Sequence, residues 1–305
     1  MRSDDILQIT VPGSTANLGP GFDSLGLAVN RYLTLQVEPS GEWEFIPLSN
    51  EIKDTPRGKE NYIYMIASRV ADLYNCDLPP CRVTVTSTIP LARGLGSSAA
   101  AIVAAIELVN ERCNLQLSRH QKLSLACQFE GHPDNVGASL YGGLVIGSHR
   151  GSEHTDLIHV TDVDFEMVVV VPPYEVQTKD ARSVLPAQLS YQEAVKASSI
   201  SNVMVAALLT KDHIMMGKMM DLDLFHQKYR VQLLPEFHHV HRIAKAAGAF
   251  GVAISGAGPT VICLTERGQG KILKNVLTSE IENVLVEEVA IETKGSIVST
   301  LSLHE

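Results

Sequence analysis

No segment constrains this chain more than Gly94-Leu95-Gly96-Ser97-Ser98. Before it, Val83 and Val85 alternate with Thr84 and Thr86, a strand pattern closed by Pro90. After it, an alanine run continues with helical spacing to about Arg112. Glycines let the backbone turn tightly and approach a ligand without a Cβ in the way. The helix that follows points its unbonded N–H groups and its positive dipole end at the loop. Loop and helix together suit an anion such as a nucleotide phosphate, and Gly96 is expected where the backbone comes closest to it. Ser97 and Ser98 add hydroxyls, one of which can ligate Mg²⁺. Two other readings stand beside this one. A lone glycine turn is more often a plain strand-to-helix connection with serine caps. Gly94-x-Gly96-x-x-Ala99 also matches a dinucleotide fingerprint, but that requires a strand ending in an acidic residue soon after the helix. A second helix, from Ser118 to about Phe129, follows instead, and Ser118-x-x-Gln121 fits a capping box. The Gly-Lys-Ser/Thr of a Walker A loop does not occur.

The remaining pattern is mixed. Ile6–Val11 and Leu33–Val37 read as strands, with a loop from Ser14 to Gly26 between them. Ile63, Ile66, Val70 and Leu73 follow helical spacing. Gly131–Gly137 reads as a loop around Pro133, and Leu140–Ile146 and Glu166–Val171 as strands. Helices are expected over Glu193–Thr210, Glu236–Ala247 and Lys271–Leu277, with strands at Gly248–Ile254, Thr260–Thr265 and Val284–Ile291. The fold class is α+β, with a soft boundary near Pro172-Pro173 and the two halves packed together.

Composition excludes several functions. At 305 residues with 45% hydrophobic and 19% charged residues, the chain has ample material for a buried core. A net charge of −9 leaves no basic footprint for nucleic acid, so an anionic ligand must be captured by local devices. Five cysteines, without a CxxC pair, read as reduced thiols. Asp4 and Asp5 stand where a signal peptide needs apolar residues, and Ala99–Val109 is too short to span a bilayer. A soluble, cytoplasmic protein without a membrane partner is expected. His238-His239-x-His241 has no acidic or cysteine partner at ligand spacing, so it reads as a solvated helix face.

Three segments taken together are more specific. Pro12-Gly13-Ser14-Thr15-Ala16-Asn17-Leu18-Gly19-Pro20-Gly21-Phe22-Asp23, the loop from Pro90 to Ala100, and Ser255-Gly256-Ala257-Gly258-Pro259-Thr260 resemble the three motifs of the GHMP kinases, in order and across essentially the whole chain. Ala16–Asp23, Glu130-Gly131-His132-Pro133-Asp134-Asn135-Val136 and Thr178-x-x-Ala181-Arg182-x-x-Leu185-Pro186 are similar to markers of the homoserine kinase family. Many of its members carry a longer stretch between the glutamate and the histidine, which here stand two apart.

The resemblance implies a two-lobed fold. Residues 1–172 would form an N-terminal nucleotide-binding domain of the ribosomal-protein-S5-like type, and residues 173–305 a C-terminal ferredoxin-like α/β sandwich. It implies ATP and Mg²⁺, and phosphorylation of the L-homoserine hydroxyl on the way to threonine. ATP would lie over Pro90, Leu91, Ala92, Arg93, Gly94, Leu95, Gly96, Ser97, Ser98, Ala99 and Ala100, with Asn61, and Mg²⁺ on Ser98 and Glu130. The substrate would be held by Asn17, Asp23, His132, Asp134, Thr178, Arg182 and Arg230. Asp23 takes the ammonium, and Arg182 and Arg230 clamp the carboxylate, ideally through a bidentate fork. Asp134, Asn17 and Arg182 are the implied catalytic set, with Asp134 as either base or orienting group. Homodimers are common in the family. Other readings are a GHMP kinase for a different small alcohol, an NAD-linked oxidoreductase, or a GHMP-fold binding protein without activity.

Overall fold

The structure is a computed structural model that describes residues 6–151 and 154–301; Asp4 and Asp5 lie outside the described residues. In chain order its strands are β1 (Ile6–Ala16), β2 (Leu25–Pro39), β3 (Glu44–Pro47), β4 (Cys81–Ser87), β5 (Leu144–His149), β6 (Thr155–Val160), β7 (Glu166–Val171), β8 (Gly251–Ile254), β9 (Val261–Thr265), β10 (Leu285–Val289) and β11 (Ile297–Leu301). The helices are α1 (Tyr62–Leu73), α2 (Ser97–Arg112), α3 (Arg119–Glu130), α4 (Asp134–Tyr141), α5 (Thr178–Ser183), α6 (Tyr191–Leu209), α7 (His213–Met220), α8 (Gln227–Arg230), α9 (Phe237–Ala246) and α10 (Gly270–Glu280).

The expected α+β class holds. One seven-stranded sheet runs β11-β1-β2-β4-β3, with β5 also paired to β2 and β6 to β5. A second, four-stranded sheet runs β10-β7-β9-β8. Strand β7 shows how they pack. Met167, Val169 and Val171 join the main core, while Val168 and Val170 face the smaller core under α9 and α10. A period-2 strand that is apolar on both faces must be covered on both. The chain crosses between sheets more than once. β7, ahead of residue 172, pairs in the second sheet, and β11 at the far end returns to pair with β1. A division by sheet therefore differs from a single cut near Pro172.

Helix α2 is the centre of the larger lobe. Its residues from Ala99 to Asn110 are buried almost all round, as its alanine-rich sequence requires of an interior helix. The buried Glu107 is satisfied by Lys122 Nζ at 2.6 Å and Ser296 Oγ at 2.7 Å. The capping box at Ser118 forms as expected. Two local readings need correction. β1 does not stop at Val11: it bulges at Pro12/Gly13 and continues to Ala16, paired with Gly26. Asp134–Tyr141, expected as the end of a loop and the start of a strand, is in fact α4, buried from Asp134 to Leu140. Gly137 weakens a helix locally, and a Cβ there would meet the side-chain ends of Leu157 and Val145. All five cysteines are free thiols. No helix among the described residues is long and apolar enough to cross a membrane.

Candidate active site

The three glycine-rich segments, far apart in sequence, are stitched into one surface. Ser14 N donates to Leu95 O at 3.1 Å and Gly256 N to Ala16 O at 3.1 Å. Ser255 Oγ donates to Gly94 O at 2.6 Å, and Thr260 Oγ1 donates to Arg93 O. Both loop glycines have positive φ, and the crowding around them is protein. A Cβ on Gly94 would lie 2.3 Å from Ser255 O, and one on Gly96 would lie 2.3 Å from Ser14 Oγ. The missing side chain of Gly96 makes room for Ser14 of the first motif, while the residue itself lines the cleft. Gly96 is the N-cap of α2 and offers no side-chain cap, so the N–H groups of the first turn remain available to a ligand.

Above this surface lies a cleft of about 540 Å³. Its apolar end is formed by Phe45, Ile52, Pro56, Ile63, Val85 and Ile89, and its polar end by Ser97, Ser98, Glu130, Thr178 and Lys179. Of the residues expected around ATP, Leu91, Ala92, Gly94 and Asn61 also line it. Leu95, Ala99 and Ala100 are instead buried in the core beneath, and Arg93 Nη2 is turned to Pro173 O. Asn61 is committed to local structure: Oδ1 caps α1 by accepting from Ile63 N, and Nδ2 donates to Pro56 O. Lys179 is the only cation lining the cleft among the described residues. It carries no signal in the sequence beyond its place after Thr178, and the bond from Val176 N to Ala92 O brings its segment against the loop.

At the polar end Ser98 Oγ lies 3.3 Å from Glu130 Oε2 and 3.4 Å from Tyr62 Oη. Burial, together with the nearby Asp134, raises the Glu130 pKa, against the opposing charges of His132 and Arg182. A hydroxyl beside a carboxylate short of positive charge suits a hard divalent cation. The short Glu130–His132 spacing does not separate the two sites. Helix α3 ends at Glu130, Gly131 takes a left-handed turn, and His132 and Asp134 swing onward.

Beyond this point lie the residues expected to hold the substrate. Arg182 grips Asp23 through both guanidinium arms, at 2.8 and 3.1 Å. Asn17 is buried; its Oδ1 accepts from Asp23 N and its Nδ2 donates to Gly256 O. His132 Nδ1 is 2.5 Å from Asp134 Oδ1, which also accepts from Asn135 N. Burial alone would lower the His132 pKa, but Asp134, Glu130 and Asp23 push it up to about 9. Asp23, His132 and Asp134 could in principle surround a metal ion. An imidazolium bound to one carboxylate and a guanidinium bound to the other argue against it. Arg230 is 2% exposed, with Nε on Ala181 O and Nη1 on Gly256 O. Its fork is therefore partly occupied, and the bidentate grip expected of it is not open in this arrangement. Burial, reinforced by Arg182, lowers its pKa to about 10. The histidines of α9 stand apart, with His238 and His239 exposed and His241 paired to Asp221 at 3.0 Å.

Comparison with known proteins gives the family. The family model for the GHMP kinases N terminal domain matches residues 61–143, and that for the GHMP kinases C terminal domain matches residues 204–283. The chain is 50% identical over 304 residues to a homoserine kinase of Bacillus velezensis, covering 100% of this chain and 98% of the relative. It is 51% identical to that of Bacillus licheniformis, covering 99% of each. The crystal structure of homoserine kinase from Cytophaga hutchinsonii superposes with a TM-score of 0.82 at 28% identity, covering 98% of each chain. With its three motifs joined over one cleft and its whole length shared with these relatives, the chain belongs to the homoserine kinase family of the GHMP kinases.

Proposed function

We propose that this kinase transfers the γ-phosphoryl group of ATP to the hydroxyl of L-homoserine, giving ADP and O-phospho-L-homoserine. The observation that carries this reading is the placement of the Ser98–Glu130 pair between a nucleotide-sized cleft and a pocket of paired opposite charges. Phosphoryl transfer needs positioning and charge neutralisation more than covalent chemistry. The base would occupy the apolar end and the phosphates the N-terminus of α2. Ser98 and Glu130 would hold Mg²⁺, which would supply neutralisation of the charge that develops on phosphoryl transfer. Homoserine is a zwitterion, and the Asp23–Arg182 ion pair has the matching polarity. On binding, the substrate ammonium would take Asp23 and its carboxylate Arg182, each exchanging one ionic partner for another, with Arg230 Nη2 adding a second cation. Asp134 has one oxygen engaged by His132 and Asn135, so the other is the oxygen to orient the substrate hydroxyl. The engagement of that carboxylate with His132 and Asn135 N favours an orienting role, with the proton leaving to the phosphate.

An ADP-release assay with Mg²⁺ across homoserine, mevalonate and galactose tests the reading. Turnover should depend on homoserine, and Ser98→Ala should lower kcat strongly with the fold intact by circular dichroism. Preference for mevalonate or galactose would reassign the acceptor. Wild-type turnover of Ser98→Ala at limiting Mg²⁺ would remove Ser98 from the metal site.

A further inference from the structure

Arg182 and Arg230 bring like charges into one pocket, and Phe22 lies against both. The guanidinium carbons of Arg182 and Arg230 are 5.6 and 5.1 Å from its ring centroid. The same ring stacks on His226, with centroids 5.1 Å apart and planes at 18°. Phe22 is only half-buried, and charged and imidazole groups lie against its ring; a side chain placed for the core would be buried among aliphatic ones. His226 has no exposed surface, and its Nε2 is 2.9 Å from Gly19 O. A carbonyl only accepts, so Nε2 carries the proton and Nδ1 turns a lone pair toward Arg230 Nη1, at 3.4 Å. Asp223 fixes the segment by accepting from the backbone N–H groups of Phe225, His226 and Gln227. Of the Arg230 nitrogens, only Nη2 lacks a partner among the described residues.

We infer that Phe22, backed by His226, is a positioning residue for substrate recognition: it holds the two guanidiniums at the spacing and angle at which Arg230 Nη2 and Arg182 meet one carboxylate. The inference rests on the reading of these arginines as the carboxylate clamp. A π face attracts a cation without neutralising it, so it can gather two like charges that a carboxylate in the same place would withhold from the substrate.

Steady-state kinetics with homoserine and ATP varied separately test it, using Phe22→Leu, Phe22→Tyr, Arg230→Leu and the Phe22→Leu/Arg230→Leu double variant. Phe22→Leu keeps apolar bulk and loses the π face. It should raise the homoserine KM about tenfold, with the ATP KM and kcat within about twofold of the parent. Phe22→Tyr, which keeps the ring, should restore most of that loss. The Phe22→Leu penalty should shrink in the Arg230→Leu background, because the two losses share one interaction. His226→Gln, which keeps a donor for Gly19 O, should show the same split and stands in if Phe22→Leu does not fold. An unchanged homoserine KM in Phe22→Leu, a parallel rise in the ATP KM, or fully additive penalties would each overturn the positioning role while Arg230→Leu remains impaired. An Arg230→Leu protein with the parent homoserine KM would instead remove the clamp itself, and the inference with it.

Discussion

The two ends of the site are built from different materials. The cleft proposed for the nucleotide offers apolar side chains, glycine backbone and the open N-terminus of α2, with Lys179 as the single cation among the described lining residues. The pocket proposed for the substrate gathers Asp23, His132, Asp134, Arg182 and Arg230, brought from separate segments and already paired with one another or with carbonyls. A net charge of −9 makes the contrast instructive. An acidic protein can hold a polyanion by aiming dipoles and a metal ion at it, because these attract without adding side-chain charge. A small zwitterion needs opposite charges at a fixed separation, which only side chains supply.

The largest expected effect falls on the backbone-built end. Gly94→Val places a branched side chain at positive φ and against Ser255 O, so it should destabilise the protein by more than about 3 kcal/mol and abolish ATP binding. Thermal unfolding and nucleotide titration check both. A folded variant that binds ATP normally and loses only homoserine affinity would reverse the assignment of the two ends.

A smaller effect is expected from His132, and only at the charge-built end. Its folded pKa of about 9 exceeds the ordinary 6.5. Its stabilising pairing with Asp134 is therefore complete below about pH 6.5 and is lost as pH rises through about 9. Homoserine kcat/KM should decline over the same rise, while the ATP KM follows it weakly, and His132→Asn should flatten both the stability and the activity limbs. If parent and His132→Asn share the same alkaline limb, another group is titrating there.

The smallest effect sharpens the description of the nucleotide end. Lys179 is exposed, so screening limits its contribution. Lys179→Met should raise the ATP KM about two- to fivefold, more at low salt than at high salt, and leave the homoserine KM unchanged. A salt-independent effect, or one confined to homoserine, would place Lys179 with Arg182 at the other end.

These two ends were also unequally legible in the sequence. The phosphate loop could be read because its signals are local: a strand pattern, two glycines, two serines and a helical run adjoin one another. The capping box at Ser118 was legible for the same reason. The substrate residues gained their roles from family resemblance, since nothing in the spacing of Asp23, Arg182 and Arg230 says that they meet. Neither Lys179 nor the pairing of Phe22 with His226 carries a local signature, because each depends on segments that fold together from afar. The short strand β3, the helices α5, α7 and α8, and the returning strand β11 were likewise unread, being too short or too polar for periodicity to register.

By itself the sequence determined the class of the fold, the strand-glycine-helix order around Gly94–Ser98 and the net negative charge, because composition and short-range periodicity reflect steric and hydrophobic rules that act along the chain. Only the tertiary structure decided why Gly96 is a glycine, that residues 134–141 are helical, and that Arg230 is a buried cation with most of its donors already spent. In each case the deciding contact comes from a segment distant in sequence. Gly96 yields to Ser14, α4 packs on β1 and β2, and Arg230 is held by Ala181 and Gly256. Close packing and desolvation act on neighbours in space, and those neighbours exist only once the sheets and helices have come together.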